Sequence, residues 1–225
     1  MNIRRDVGKE ERMDNKMNKP IALTPPMGWN SWNTFTWDIN EKMICEMADR
    51  MVEDGYLEAG YEYLVIDDCW SLKQRDADGN LVPDPEKFPH GMKWVSDYVH
   101  EKGLKFGMYS CAGTHTCAGY PGSFEHEFQD AKKFAEWGVD YLKYDYCFKP
   151  HQIPGEILYK RMSLALKNCG REILFAACNW GTDGVYDWIR SSGAHTYRST
   201  GDIQDNWESI TNLAISQMGK EQTDR

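Results

Sequence analysis

The chain has 225 residues, enough for one domain with a sizeable core and too few for two comfortable ones. Thirty-five acidic residues against 26 basic ones give a formal charge of −9, which disfavours nucleic acid and anionic membrane surfaces as partners. A composition of 41% hydrophobic and 27% charged residues excludes a disordered chain, and no apolar run approaches the length of a membrane span.

Residues 1–19, MNIRRDVGKEERMDNKMNK, are charged throughout and lack the apolar centre of a secretory signal peptide. They predict a solvated, disordered tail ahead of a single domain over 20–225, and the expected location is cytoplasmic. Six apolar runs follow: 27–32, 61–68, 104–110, 139–145, 172–178 and 195–200. Continuous runs of this length suit parallel strands covered on both faces. Between them lie helical periodicities. Residues 40–54 place Met43, Met47, Val52 and their neighbours on one face, and Met43, Met47 and Met51 recur at core spacing. Residues 91–102 end before Gly103, 125–137 before Gly138, and 154–168 start at a proline and end before Gly170. A last helix-like stretch, NWESITNLAISQM, leads into a polar end.

This βα alternation predicts an α/β fold. No GxGxxG or P-loop pattern stands at a strand–helix junction, which argues against a doubly wound nucleotide binder. Asp67, Asp68, Asp145, Asn179 and Asp202 instead follow apolar runs directly. Polar groups at successive strand ends are how a (β/α)8 barrel of the TIM type builds its site. The count is six strands, so the expected architecture is an incomplete barrel of about six βα units. Its two open sheet edges favour association with a second copy, a homo-oligomer.

The chemistry that suits such a mouth is glycoside hydrolysis, which needs two carboxyl groups flanking the scissile bond, about 5–5.5 Å apart for retention and about 6.5–9.5 Å apart for inversion. Any one of these acids has an ordinary use as a helix cap or turn residue. Four together, with Trp29, Trp32, Trp70 and Trp180 nearby, point to a site. Indole faces stack on sugar C–H surfaces while carboxylates accept from hydroxyls, so the expected partner is a small carbohydrate. Lys143, two residues before Asp145 on the same side of the strand, is expected to favour the ionised carboxylate that a nucleophile needs. Carboxylates supply all of this chemistry, so no cofactor is called for. The six histidines show no metal-ligand spacing and there is no CxxC pair, so no metal site is expected. GxSxG is absent as well.

The motifs TPPMGWNSWNTF (24–35), AGYEYLVIDDCW (59–70), DPEKFPHGMKWVSDYVHEKGLKFGMYS (84–110), CAGYPGSFEHEFQDAKKFAEWGVDYLKYDYC (117–147) and YRSTGDIQDNW (197–207) make a set. Together the chain resembles the glycoside hydrolase family of α-galactosidases and α-N-acetylgalactosaminidases, family 27 of clan D, over about residues 20–215. The resemblance implies a retaining hydrolase of terminal α-D-galactosides acting by double displacement. Asp145 would be the nucleophile and Asp202 the acid/base. Asp67, Asp68 and Lys143 would bind galactose hydroxyls, Trp32 and Trp180 would lie beside the sugar, and Arg198 would contact its 2-hydroxyl region and Asp202. It also implies a disulfide between Cys117 and Cys147, in tension with a cytoplasmic location.

Three departures from the family pattern stand out. Asn179, in ACNWG, takes a place where many members carry Glu, which leaves the sugar open: α-GalNAc or a β-L-arabinopyranoside is the alternative. Trp37 and Ala194 stand where partner cysteines would be, so Cys69 and Cys178 read as free, buried thiols. The match ends before the family's last two barrel strands and its β-sandwich, so the second reading is a catalytically inactive barrel fragment.

Overall fold

The computed structural model describes residues 21–220. The expected tail over 1–19 lies outside the described residues. Strand β1 (Gly28–Asn30) runs into a single helical turn, α1 (Trp32–Phe35), and then α2 (Glu41–Glu53). There follow β2 (Tyr63–Val65), α3 (Gly91–Glu101), β3 (Lys105–Cys111), α4 (Glu127–Trp137), β4 (Tyr141–Asp145) and α5 (Gly155–Lys167). The chain continues through β5 (Leu174–Ala177), α6 (Val185–Ser192), β6 (Thr196–Tyr197) and α7 (Trp207–Ser216).

All six strands are parallel and pair in the order β1-β2-β3-β4-β5-β6. Each new strand adds on the same side, as in a barrel, with none of the reversal that marks a doubly wound sheet. The sheet is a partial (β/α)8-type barrel of six strands. Among the described residues β1 and β6 are its two open edges.

Its core is built from both sheet faces. Leu64, Ile66, Phe106, Met108, Leu142, Tyr144 and Phe175 are buried completely or nearly so. Helices present their apolar stripes to this layer: Ile44, Ala48 and Met51 from α2, Val95 and Val99 from α3, Ala131 and Phe134 from α4. Val52, expected on the inner face of α2, is instead 39% exposed; the inward stripe runs through Ile44, Ala48 and Met51, with Met43 and Met47 at its margin. Asn40 starts α2 by accepting from the Met43 amide at 3.0 Å, and Gly138 ends α4 at φ 82°, the left-handed cap its lack of Cβ permits. Helix α7 buries no residue, and Trp207, Ile210 and Ile215 lie open to solvent on it.

Apart from β3, the strands are shorter than the apolar runs that announce them. The run 61–68 contributes only Tyr63–Val65 to the ladder, and 195–200 only Thr196–Tyr197. The polar residues at their ends leave the sheet and turn into the mouth. Helix α6 fills the place of the fifth βα unit, for which no bounds were legible in the sequence; its eight residues sit between two left-handed glycines, Gly184 and Gly193.

Gly28 on edge strand β1 packs so closely on β2 that a Cβ there would lie 2.2 Å from the Tyr63 carbonyl oxygen. Backbone cannot swing aside as a side chain can. The Gly28→Ala protein is expected to lose about 1–3 kcal/mol in urea unfolding, the scale of overpacking; an unchanged midpoint would contradict this packing of β1.

Candidate active site

The C-terminal ends of the strands converge on one cavity of about 170 Å³, lined by Trp32, Asp67, Asp68, Tyr109, Cys117, Lys143, Asp145, Trp180, Arg198 and Asp202. That is smaller than the roughly 300–1,000 Å³ of a drug-sized pocket and suits a single ring. On one side it adjoins a wider groove, sharing Trp32, Lys143, Arg198 and Asp202 with it; Ile210, Leu213 and Ala214 of α7 and Gln217 at its C-cap also line that groove.

The floor is acidic and dry. Asp67 and Asp68 are each 2% exposed and Asp145 6%. Asp67 is the best satisfied. Its Oδ2 accepts from Lys143 Nζ at 2.7 Å and from Asn30 Nδ2 at 2.7 Å, and its Oδ1 accepts from the Asp68 amide at 2.9 Å. Asn30 is held in turn by the Trp32 amide, and Ser31 Oγ accepts from the Asp67 amide. Asp68 accepts from the amides of Cys69 and Ala118 at 2.7 and 3.0 Å. Burial nevertheless pushes the Asp68 carboxyl up, outweighing these bonds.

Asp145 differs from expectation in one respect. Lys143 does favour its charge, but the ammonium is bonded to Asp67, and burial of Asp145 is the larger effect. The carboxyl is therefore raised, not lowered, although Lys143, the Tyr146 amide at 2.9 Å and the Tyr109 hydroxyl all pull the other way. Tyr109 is near enough to favour that charge but outside hydrogen-bond geometry; its hydroxyl is buried without a hydrogen-bond partner. Burial pulls the Lys143 ammonium down, and the charge and hydrogen bond of Asp67 with the charge of Asp145 more than offset it, so it is raised.

The structure brings most of the predicted residues to this cavity. Asp202 lines it from beyond β6, is 89% exposed at its side chain, and pairs with Arg198 at 2.8 Å. Cys117 and Cys147 form the implied disulfide between the β3 and β4 loops, with Cα atoms 5.2 Å apart. Cys69 and Cys178 are free and buried as expected; burial lifts their thiols to about 11 and about 12. Asn179 is not among the lining residues. It is fully buried, its amide donates to the Thr182 carbonyl at 2.9 Å, and its Oδ1 has no hydrogen-bond partner. Trp29 and Trp70 also stay away: Trp29 packs on Phe35, and Trp70 is 3% exposed with its indole donating to the Tyr109 carbonyl. Tyr109 was missed, though it sits near the end of β3, as Asp145 ends β4.

Local strain marks the same face. Cys69, Phe148 and Trp180, none of them glycine, take positive φ within four residues of the ends of β2, β4 and β5, as do Thr36 at the end of α1 and Asp183 ahead of α6. Such conformations persist only where surrounding structure over-determines them.

The Melibiase_2 family, described as Alpha galactosidase A, matches residues 24–224. The chain belongs to that family. An alpha-galactosidase of Coffea arabica is 53% identical over 195 residues, covering 86% of this chain and 51% of that protein. Among solved structures, alpha-galactosidase I of Mortierella vinacea superposes with a TM-score of 0.80 at 42% identity, over 84% of this chain and 48% of that one. The Saccharomyces cerevisiae alfa-galactosidase solved with raffinose gives 0.78 at 46%, over 83% and 42%. A β-L-arabinopyranosidase of Geobacillus stearothermophilus, 23% identical with a TM-score of 0.73, shares the fold. The chain spans about half the length of the curated alpha-galactosidases it matches.

A carboxyl raised by folding favours its protonated form, so its contribution is fully present below the unfolded value near 4 and is lost as pH rises through the folded value. The Asp145→Asn protein should therefore be more stable than wild type at neutral pH, by about 1 kcal/mol. The gap should close below about pH 4. Thermal melts across pH check this, and a variant less stable at pH 7 would contradict the burial of charge at Asp145.

Proposed function

We propose that this chain carries the catalytic face of a retaining glycoside hydrolase acting on terminal α-D-galactosides. The observation that carries the reading is that Asp145 and Asp202, from β4 and from beyond β6, line one cavity with Asp67, Asp68 and Lys143. Membership of the alpha galactosidase A family and 50–53% identity to curated alpha-galactosidases of coffee and Arabidopsis support the substrate class.

In this reading Asp145 attacks the anomeric carbon while Asp202 protonates the departing oxygen. A covalent glycosyl-enzyme forms with inverted configuration. Asp202, now a carboxylate, then takes a proton from water, which attacks the same carbon and releases Asp145, and the second inversion restores the original configuration. Asp67 and Lys143, already paired, accept from and donate to the sugar hydroxyls. Trp32 and Trp180 flank the ring. Desolvation makes the Asp145 carboxylate a stronger nucleophile once ionised, since no water shell has to be stripped from it.

A second reading rests on the exposure of Asp202. At 89% exposure the acid is fixed only by Arg198, and the cavity is open on the α7 side. In that case the chain binds sugar weakly without turnover.

One assay separates the two. The purified chain is given 4-nitrophenyl α-galactoside, with Asp145→Asn as control, and its solution mass is recorded. Turnover at least on the order of 10³-fold above the variant, with the α-anomer of galactose seen first by NMR, is the expected result. Release of the β-anomer would contradict the role of Asp145, and activity equal to that of the variant would favour the binding-only reading.

A further inference from the structure

We infer that the Cys117–Cys147 disulfide, once reduced, becomes a binding site for a thiophilic divalent cation, with Asp145 as the third ligand. Among the described residues, the two Sγ atoms and one Asp145 carboxylate oxygen all lie within 4.8 Å of one another. A zinc-sized ion bound through sulfur at about 2.3 Å spans sulfurs about 3.8 Å apart, so the two Sγ atoms move from bonding distance to ligating distance once the bond is cut, with the Asp145 carboxylate beside them. Two thiolates and a carboxylate suit zinc or cadmium, and the cavity leaves a fourth position for water. No sequence pattern announces the site, because the two cysteines are separated by 30 positions and meet only through the sheet.

The site needs the thiols to stay together after the bond is cut, and the backbone provides for that. Strands β3 and β4 pair up to Cys111 and Asp145, and the Ala112 amide donates to the Asp145 carbonyl at 2.9 Å. Above them, Cys111 Sγ donates to the Cys147 carbonyl at 3.1 Å and the Thr114 amide to the Phe148 carbonyl at 3.2 Å. Gly113 lies so close that a Cβ would be 2.0 Å from the Cys147 carbonyl oxygen. On the other side the Ala118 amide donates to Asp68 at 3.0 Å. The Cys117 loop is thus tied to both neighbouring strands by contacts that do not involve the disulfide. Cys117 is exposed, so a reductant reaches the bond.

The steps balance. A dithiol transfers two electrons and two protons to the Sγ–Sγ bond and is itself oxidised to its cyclic disulfide, leaving two thiols. Cation binding then displaces those two protons as the thiolates coordinate. The cation also takes the carboxylate that the proposed hydrolysis uses, and only this consequence rests on that reading.

The test uses the 225-residue chain without reference to turnover. It is reduced with dithiothreitol, freed of reductant under argon, and titrated with Cd²⁺ while the ultraviolet thiolate-to-cadmium charge-transfer band is followed. One equivalent per chain is expected to raise the band, with no such band in the oxidised chain or in the Cys117→Ser, Cys147→Ser double variant, whose five other cysteines report the background. Asp145→Asn should weaken binding about tenfold. A band equal to that of the double variant would overturn the proposal. So would loss of the far-ultraviolet circular dichroism signal on reduction alone, since the loops would then depend on the bond.

Discussion

The ion pair between Lys143 and Asp67 is the contact on which the site depends. Three carboxyl groups stand at the floor of one small cavity, and each is at least nine-tenths removed from water. One ammonium, Lys143, faces them from the same strand as Asp145. Its bond to Asp67 spans β2 and β4 and so locks two non-neighbouring strand ends at one depth. A buried acid without such a partner protonates instead of staying charged. The hydrogen bonds are unequally shared: Asp67 takes the ammonium, an amide side chain and a backbone N–H, whereas Asp68 accepts from two backbone N–H groups and Asp145 from one, with the Lys143 charge beside it.

The rest of the mouth supports that arrangement. The residues that follow β2 and β4 leave the ladder and aim amides at the acids, Cys69 at Asp68 from a positive φ and Tyr146 at Asp145. The cost is backbone strain at several positions and a buried phenol without a partner at Tyr109. Stability given up at one face of a well-packed sheet is the usual signature of a site shaped for a ligand. Behind it, the core of Phe106, Leu142, Tyr144 and Phe175 is dry and continuous and holds the strand ends in register.

Much of this was legible in the sequence. Apolar runs followed by helical periodicity and a glycine gave the βα alternation, and acids directly after the runs gave the face on which the site lies. The disulfide came only through family resemblance, since spacing alone does not pair Cys117 with Cys147. What the sequence concealed was depth. Two tryptophans counted beside the site, Trp29 and Trp70, are absent from the cavity lining and make packing contacts instead, and Asn179 is fully buried and outside the lining. The sign of the shift at Asp145 was hidden for the same reason. A neighbouring lysine is visible in a sequence, but the loss of water around a carboxyl is a property of the fold.

The two sides of the cavity are unequal. The β2 to β4 side is walled, buried and cross-linked, while the β6 side is a short edge strand followed by an exposed helix. Asp145 therefore has a fixed position, and Asp202 is oriented chiefly by Arg198. The separation of these two carboxyl groups is the quantity on which the whole account turns. A crystal structure of the chain with galactose bound measures it directly. The account predicts the sugar ring between them with the carboxyl groups about 5–5.5 Å apart, the spacing for retention. A separation well beyond that range, or galactose seated away from Asp145, would contradict it.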